Sequence, residues 1–410
     1  MTGNRDAATR PPAVTNKRWM LLALAVFMFV LLGLYYSWSI FMGPLEKEFG
    51  WTRSQTSTPF AICLPAFCLG SLLTGVLGKV WPHRYSICLG AVMIGCGLFL
   101  ASGAYSLPRL YFSYGVLVGG GIGVAYTALL STMLPWFPDR PGLASGLLMT
   151  GYGFGGMLIS AMGTGLIGMY DWRFTMLVFA CAISSLVFTG AFFIAPPGEN
   201  VLFPQPGSGK RAPAEDSLDL PPGQMIRRPS FYIYFGWILL VYSCGLMLMG
   251  HAVPLAEEQG VGAETAAFVA GLIAICNGFG RLLSGILLDR FGRRPVMSGI
   301  CCGLIIAALL LFMALRAHSP LLVSAAYIVA GLVYGASTSC NAAIIRLFYG
   351  MRHFAMNFSV VNFNLIFAAL LGPHLAGVLH VQTGSYLAVT PVLALFSVMA
   401  LVLALRLKKP

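Results

Sequence analysis

The sequence predicts an all-α integral membrane protein with twelve transmembrane helices in two six-helix bundles, both termini cytoplasmic. Three observations support this prediction. Apolar windows long enough to cross a bilayer recur along nearly the whole chain. Positive charges concentrate in alternate loops. Landmarks in the first half also repeat in the second. The composition agrees, since 9% of the residues are charged, against about 25% in soluble proteins.

Windows of about 18 or more apolar residues define the predicted spans. The first window is too long for a signal-peptide core and has no small-residue cleavage site before the next span, so it is kept as a helix. The predicted spans are roughly 19–44, 55–78, 85–104, 108–134, 142–168, 173–195, 231–256, 265–288, 295–315, 320–345, 354–379 and 385–405.

The Lys and Arg residues predict the orientation of these spans. Of the 25, the two tails and the even-numbered loops hold 19, the odd-numbered loops hold five, and Arg281 is the remaining one. This asymmetry follows the positive-inside rule and places both termini in the cytoplasm. The net charge of +12 is therefore explained by topology, and the expected partner is a lipid bilayer and not a nucleic acid.

A polar stretch at 196–230 divides the chain. Prolines and glycines recur through it and acids mix with bases, as is typical of a linker without regular structure. The predicted organisation is a cytoplasmic tail at 1–18, a bundle at 19–195, a cytoplasmic linker at 196–230, a second bundle at 231–405 and a tail at 406–410.

The two halves share landmarks at nearly constant spacing. The loop at 75–84 follows span 2 and the loop at 285–294 follows span 8, an offset of 210 residues. Trp136 and Phe137 close span 4, and Leu347 and Phe348 close span 10. The offset from Phe137 to Phe348 is 211 residues. This agreement indicates a duplicated six-helix unit. Transporters built from such repeats place their substrate site between the halves, near the bilayer midplane.

Arg281 is the most informative residue, because it lies inside the apolar window 265–288. A charge at that depth costs about 2.5 to 3.5 kcal/mol and normally faces a cavity and a partner. No Asp or Glu lies comparably deep in another span, so the expected partner is an anion that arrives from outside. Arg281 precedes Asp289 by eight residues, about 12 Å along a helix, and its fork can hold a carboxylate through two hydrogen bonds. Pairing with helix carbonyls is the alternative.

Other polar side chains are candidates for the same cavity. Asn277 lies one turn before Arg281 on the same helix face and can donate to a carboxylate or hydroxyl oxygen. Tyrosines at midplane depth offer an apolar wall with a hydroxyl, although helix packing explains each of them equally well. Asparagines in span 11 need an internal partner at lipid depth. These candidates are Tyr36, Tyr126, Tyr152, Tyr334, Asn362 and Asn364.

The loop at 285–294 reads GILLDRFGRR and resembles the signature of the major facilitator superfamily. With twelve spans and a central linker, this resemblance covers the whole chain. It implies a cytoplasmic gate formed by an acid and base network, and plain positive-inside anchoring is the alternative. The copy at 75–84 has Lys79 in place of the acid, so the halves are expected to gate differently. The implied gate residues are Asp289, Arg290, Arg293 and Arg294.

Two further segments resemble the monocarboxylate transporter family and the related oxalate/formate antiporters. Residues 136–146 read WFPDRPGLASG and enter span 5, and residues 33–38 read GLYYSW in span 1. Arg281 matches the helix-8 arginine of these carriers. The resemblance implies a transporter close to prokaryotic, lactate-type monocarboxylate carriers.

Two departures from that group bear on function. Proton-coupled animal carriers have Asp where this chain has Asn277, which leaves the proton route open. The oxalate carrier has a second cation in helix 11, where this chain aligns Leu365. One buried cation suits one carboxylate, because an uncompensated buried charge is disfavoured. Lactate, pyruvate or acetate is therefore favoured over oxalate.

The histidines offer a proton route. His251 lies near the outer end of span 7 with Glu257 close behind, and a histidine beside an aqueous pathway can titrate at physiological pH. An interfacial or packing role is the alternative for His251, as it is for His374 and His380. We regard His251 and Glu257 as the proton-coupling candidates.

Chemical machinery for other functions is missing from the sequence. It contains no HExxH, GxSxG or GxxxxGK[ST] motif, so neither a hydrolase nor an ATP-driven pump is expected, and no cofactor. The ten Cys form no CxxC pair and indicate no metal site. The GxGxxG match at 151–156 lies inside a span without a preceding strand, so we interpret it as close helix packing.

Taken from the sequence, the expected function is proton-coupled symport of small monocarboxylates by alternating access. Exchange of one carboxylate for another is the first alternative. A transporter-like sensor is the second, and the short predicted tails weigh against it. The expected location is the inner (cytoplasmic) membrane of a prokaryotic cell, where the chain acts as a monomer.

Overall fold

The computed structural model of the chain describes residues 12–198, 219–260 and 262–408. Within these residues every regular element is a helix. Twelve helical segments are long and apolar enough to cross a membrane, and the predicted number of spans is confirmed.

The spans keep their sequence numbers below. In the first half they are Asn16–Phe49, Arg53–Leu77, His83–Ser102, Leu107–Trp136, Pro141–Met169 and Trp172–Phe193. In the second half they are Pro229–Gly250, Phe268–Phe291, Arg293–Ala317, Pro320–Tyr349, Phe354–Thr383 and Tyr386–Arg406. The end of the molecule at which span 6 ends and span 7 begins is called the linker side, and the opposite end is called the far side.

Three spans depart from a continuous α-helix in their interior, and span 12 begins with a 3₁₀ turn at Tyr386–Ala388. Span 1 passes through a 3₁₀ stretch at Gly33–Trp38, and span 4 contains a π-helical stretch at Tyr111–Val118. Span 11 breaks at Phe363, between Phe354–Asn362 and Asn364–Thr383. Such irregular turns frequently mark functional positions in helices. Those in spans 1 and 11 lie at the central cavity described below.

Span 7 is shorter than predicted. Its helix ends at Gly250, the chain turns at His251, and a separate short helix follows at Ala252–Glu257. The predicted window of 231–256 was therefore wrong at its far end. The cause is Pro254, whose ring would clash with the carbonyl of Gly250, four residues earlier, if one helix continued.

The linker prediction needs one correction within the described residues. Pro222 does not break structure but begins a short helix, Pro222–Ile226, because proline is well suited to the first position of a helix. Pro229 likewise begins span 7. Residues 199–218 of the predicted linker and residues 1–11 and 409–410 of the predicted tails lie outside the described residues.

Spans 1 and 5 pack backbone to backbone at the glycines of span 5. A Cβ added to Gly155 would lie 2.0 Å from the carbonyl oxygen of Val30, and one added to Gly156 would lie 2.6 Å from the Cβ of Tyr36. The predicted role of the 151–156 glycines in close packing therefore agrees with the contacts. The close packing of spans 1 and 5 positions the 3₁₀ stretch of span 1 beside the cavity.

Replacing Gly155 with alanine is expected to destabilise the protein by about 1–3 kcal/mol, because the added methyl group forces spans 1 and 5 apart. Gly165→Ala in the same span is the matched control, since a Cβ there meets nothing within 4 Å. Thermal unfolding of the purified variants in detergent measures the difference. Equal transition temperatures for the two variants would contradict the observed packing.

Candidate functional site

A cavity of about 650 Å³ lies between the two halves. Spans 1, 2, 4 and 5 line it from the first half, and spans 7, 8, 10 and 11 line it from the second. It reaches Gly250, the last residue of span 7, and so extends toward the far side. Its position agrees with a substrate site at the interface of a duplicated unit.

Arg281 lies in the wall of this cavity and is 4% exposed. Its Nε donates to Oδ1 of Asn277 at 2.9 Å, and its Nη1 donates to the carbonyl of Met149 at 2.8 Å. The Tyr36 hydroxyl is near enough to interact with the guanidinium. Among the described residues no carboxylate forms an ion pair with it. The hydrogen bonds to Asn277 and Met149 thus both go to neutral oxygens.

Arg281 pairs with a helix carbonyl, as in the alternative named above, and it also lines the cavity in which a carboxylate is expected. Span 5 leaves room for the side chain at Gly153, where a Cβ would lie 3.4 Å from Nη1 of Arg281. Because Asn277 uses its oxygen on Arg281, its Nδ2 group is left as a donor at the cavity wall.

All four predicted tyrosines line the cavity, and two more join them. The ring centroids of Tyr126 and Tyr152 are 5.2 Å apart, as are those of Tyr36 and Tyr152. Tyr35 and Tyr242 complete the aromatic wall. The sequence does not single out Tyr35, because adjacent residues of a regular helix face different directions and the 3₁₀ stretch carries no clear sequence signal. Tyr334 is the fourth predicted tyrosine.

Span 11 contributes Asn362 but not Asn364 to the cavity wall. Asn364 is buried and donates to the carbonyl of Val361. The break in span 11 at Phe363 lies between the two asparagines, and of the two Asn362 alone lines the cavity. Leu365 of span 11 also lines it.

The histidine and acid candidates lie at the far side, behind the cavity wall. His251 contacts the Tyr386 hydroxyl through Nδ1 and the Pro373 carbonyl through Nε2, each at 2.9 Å. Glu257 is exposed at the end of its short helix. The neighbouring Glu258 instead accepts from the Tyr386 backbone N–H. His251 and Glu257 are not among the residues that line the cavity.

Two further histidines are near the same end. The ring of His380 stacks on that of Tyr386, with centroids 4.2 Å apart, whereas His374 is exposed on span 11. Tyr386 therefore contacts His251, which directly follows span 7, and His380 of span 11. This arrangement is a polar cluster beside the cavity, not a part of its wall.

Asp289 joins the halves on the linker side. Its two carboxylate oxygens accept from the backbone N–H groups of Gly142 and Leu143, each at 2.8 Å. These residues lie in the first turn of span 5, where a helix N-terminus favours a negative charge. Of the other predicted gate residues, Arg293 donates to the Leu407 carbonyl of its own half. The remaining two, Arg290 and Arg294, are exposed.

A second contact joins the halves on this side and is not predicted from the sequence. Nη1 of Arg346 donates to the carbonyls of Leu134 and Phe137 at 2.6 and 3.1 Å. These carbonyls lie at the C-terminal end of span 4, which favours a positive charge. In the sequence, Arg346 at the end of span 10 has no feature that distinguishes it from the other positive charges of the positive-inside pattern. Nearby, Arg18 and Asp139 form a buried ion pair at 2.9 Å within the first half.

Glycines make the linker-side closure tight. A Cβ on Gly285 of span 8 would lie 2.2 Å from the Gly142 carbonyl oxygen of span 5. A Cβ on Gly75 of span 2 would lie 2.8 Å from the Cα of Met356 in span 11. Gly75 and Gly285 are equivalent positions in the internal repeat. The two crossings therefore repeat each other and shut the cavity on this side.

Comparison with known proteins agrees with this architecture. The family model described as Major Facilitator Superfamily matches residues 20–275 and 240–410. The chain is 27% identical to the oxalate:formate antiporter of Oxalobacter formigenes, covering 91% of this chain and 88% of that protein. It is 26% identical to the uncharacterized MFS-type transporter YhjX of Escherichia coli, covering 86% of this chain and 85% of that protein. It is also 26% identical to monocarboxylate transporter 12-B of Danio rerio, covering 82% of this chain and 74% of that protein.

Solved structures show the same fold. The Escherichia coli fucose:proton symporter FucP superimposes with a TM-score of 0.72 at 14% identity, covering 96% of this chain and all 100% of that chain. The proton:xylose symporter XylE superimposes with a TM-score of 0.68 at 14% identity, covering 95% of each chain.

Proposed function

Because the chain belongs to the major facilitator superfamily, we propose that it carries small monocarboxylates of the lactate, pyruvate or acetate class across a membrane. The observation that carries this proposal is Arg281, a buried cation in the wall of the central cavity whose described partners are neutral oxygens. The chain is a multi-pass membrane protein. We place it in the inner membrane of a prokaryotic cell, as a functional monomer.

The charge of the cavity favours one carboxylate over two. Of the described residues that line it, Arg281 alone carries a charge. A monocarboxylate neutralises that charge, whereas a dianion would leave a second carboxylate in an apolar, aromatic surrounding. The resemblance to the oxalate carriers would place a second cation at position 365 of span 11. This chain has the apolar Leu365 there, which supports a substrate with one carboxylate. The resemblance to monocarboxylate transporters points the same way.

Alternating access fits the way the cavity is closed. On the linker side, Asp289 of span 8 bonds to the start of span 5 and Arg346 of span 10 bonds to the end of span 4. The cavity extends toward the far side. Breaking these contacts and rocking the two halves would expose the same site on the linker side. In our proposal the linker side is cytoplasmic, as the positive-inside distribution predicts.

Proton-coupled symport is our first choice of energy coupling, with His251 and Glu257 as the candidate proton carriers. His251 is suited to a linked role because it bonds to Pro373, which is itself part of the cavity wall. Carboxylate exchange is the second candidate. Two observations favour exchange: no acid or histidine lines the cavity among the described residues, and one relative is named an oxalate:formate antiporter.

Uptake of radiolabelled L-lactate into proteoliposomes tests the proposal and separates its two forms. Under symport, an inward proton gradient is expected to accelerate uptake severalfold, and a protonophore is expected to remove that gain. Under exchange, uptake ignores the gradient and requires an internal carboxylate. Liposomes without protein provide the background. Absence of uptake of lactate, pyruvate and acetate under every condition would refute the monocarboxylate assignment.

A further inference from the structure

A chain of three buried polar side chains leads into the cavity from span 7. The Tyr234 hydroxyl donates to Oδ1 of Asn341 at 2.7 Å, and Nδ2 of Asn341 donates to Oδ1 of Asn362 at 3.0 Å. The three residues are 0%, 1% and 3% exposed, respectively. Asn341 and Asn362 line the cavity, whereas Tyr234 does not. These two hydrogen bonds connect spans 7, 10 and 11.

Tyr234 fixes the direction of this hydrogen-bond chain. If both amides were turned over, the Tyr234 hydroxyl would accept from Asn341, and its own proton would need another acceptor. The hydroxyl makes no other hydrogen bond within the part of the chain that the structure describes. An unsatisfied buried donor costs about 1–3 kcal/mol, so the observed direction is favoured.

The fixed direction decides what Asn362 offers to a ligand. Its oxygen is occupied by Asn341, and its Nδ2 group has no acceptor among the described residues. Asn362 therefore presents a hydrogen-bond donor, not an acceptor, at the cavity wall. It does so on span 11, apart from Arg281 and Asn277 on span 8.

We propose that Asn362, oriented by Tyr234 through Asn341, is a second substrate contact that selects monocarboxylates carrying an additional acceptor oxygen. That oxygen is a keto or hydroxyl oxygen on a part of the molecule that Arg281 does not hold. The inference rests on the proposed function, because it takes the carboxylate to be bound at Arg281. Asn362 is a specificity residue in this scheme, and Tyr234 and Asn341 are positioning residues.

Matched pairs of acids test this selection. Propanoate is paired with pyruvate, butanoate with 3-hydroxybutanoate and pentanoate with 4-oxopentanoate. Their dissociation constants are measured by calorimetry on the full chain in lipid nanodiscs. In at least one pair, the native protein is expected to bind the oxygenated acid about tenfold more tightly, because the parent acid leaves a buried donor unpaired. Asn362→Leu is expected to reduce that ratio to about twofold or less.

Tyr234→Phe gives the more incisive result, because it changes no atom at the cavity wall. Without the hydroxyl, the Asn341 and Asn362 amides can turn over, so the same ratio is expected to fall to about twofold. Tyr327→Phe is the matched control. Tyr327 is also buried and donates one hydrogen bond, to the Ala252 carbonyl at 2.6 Å, and it does not line the cavity. This variant should keep the native ratio.

The outcomes separate this inference from the proposed function. If the native protein binds both members of every pair equally while Arg281→Gln binds none, carboxylate recognition stands and the second contact is refuted. The second contact is also refuted if Tyr234→Phe keeps the same ratio as Tyr327→Phe. If no acid binds the native protein, the proposed function itself fails.

Discussion

The Arg281→Gln carrier is expected to lose carboxylate binding and uptake by about a hundredfold or more. Removing one partner of a buried, hydrogen-bonded charge pair costs about 2–5 kcal/mol, and the described cavity wall holds no other cation that could replace it. Glutamine keeps hydrogen-bonding capacity but not charge. Dissociation constants for lactate and initial rates of uptake measure the loss.

A matched control and a conservative variant sharpen this test. Arg316→Gln removes an exposed arginine beside the Phe312 ring, away from the cavity, and should leave binding unchanged. Arg281→Lys keeps the charge but loses the planar fork, so an intermediate loss of about tenfold is expected. Native uptake by Arg281→Gln would show that the carboxylate binds elsewhere in the protein.

The Asp289→Ala carrier is expected to open on the linker side. Asp289 is the acceptor for two backbone N–H groups of span 5, and hydrogen bonds to a charged group contribute about 1.5–3 kcal/mol each. Their loss should raise the population of the linker-open state at least about tenfold. Cys68 reports this opening, because its thiol is buried and contacts the carbonyl of Asn362 across the two halves.

Maleimide labelling followed by peptide-resolved mass spectrometry gives the readout at Cys68. Asp171→Ala is the control, because Asp171 also accepts from a backbone N–H at a helix start, that of Phe174, but within one half. Its loss is expected to affect local stability and not the contact between halves. Equal labelling of Cys68 in the two variants would contradict a gating role for Asp289.

Much of the fold could be predicted from the sequence because hydrophobic length and internal repetition are strong signals in membrane proteins. The helix end at Gly250 is not predicted, because the apolar composition continues past it and Pro254 is the one sequence signal of the break. The 3₁₀ stretch at Gly33–Trp38 was missed for a related reason, since its residues are as apolar as the helix around them.

The site was predictable where one residue carries an unusual cost. Arg281 stands out in any apolar window, and Asn277 follows from helix periodicity. Asn341 could not be identified in this way, because its role depends on how spans 7, 10 and 11 pack against one another. Arg346 shows the same limit, since a charge at a helix end looks topological until its partner carbonyls in span 4 are known.

The Arg281 side chain also bears on how fast the carrier returns without cargo. Its two hydrogen bonds go to different halves, to Asn277 in span 8 and to the Met149 carbonyl in span 5. Reorientation moves those halves apart or past one another, so an unloaded cycle must break or replace the bond to Met149. A bound carboxylate can take over that pairing during loaded cycles. Self-exchange should therefore run faster than net flux, and the gap between these two turnover rates measures how firmly the Met149 carbonyl holds the arginine.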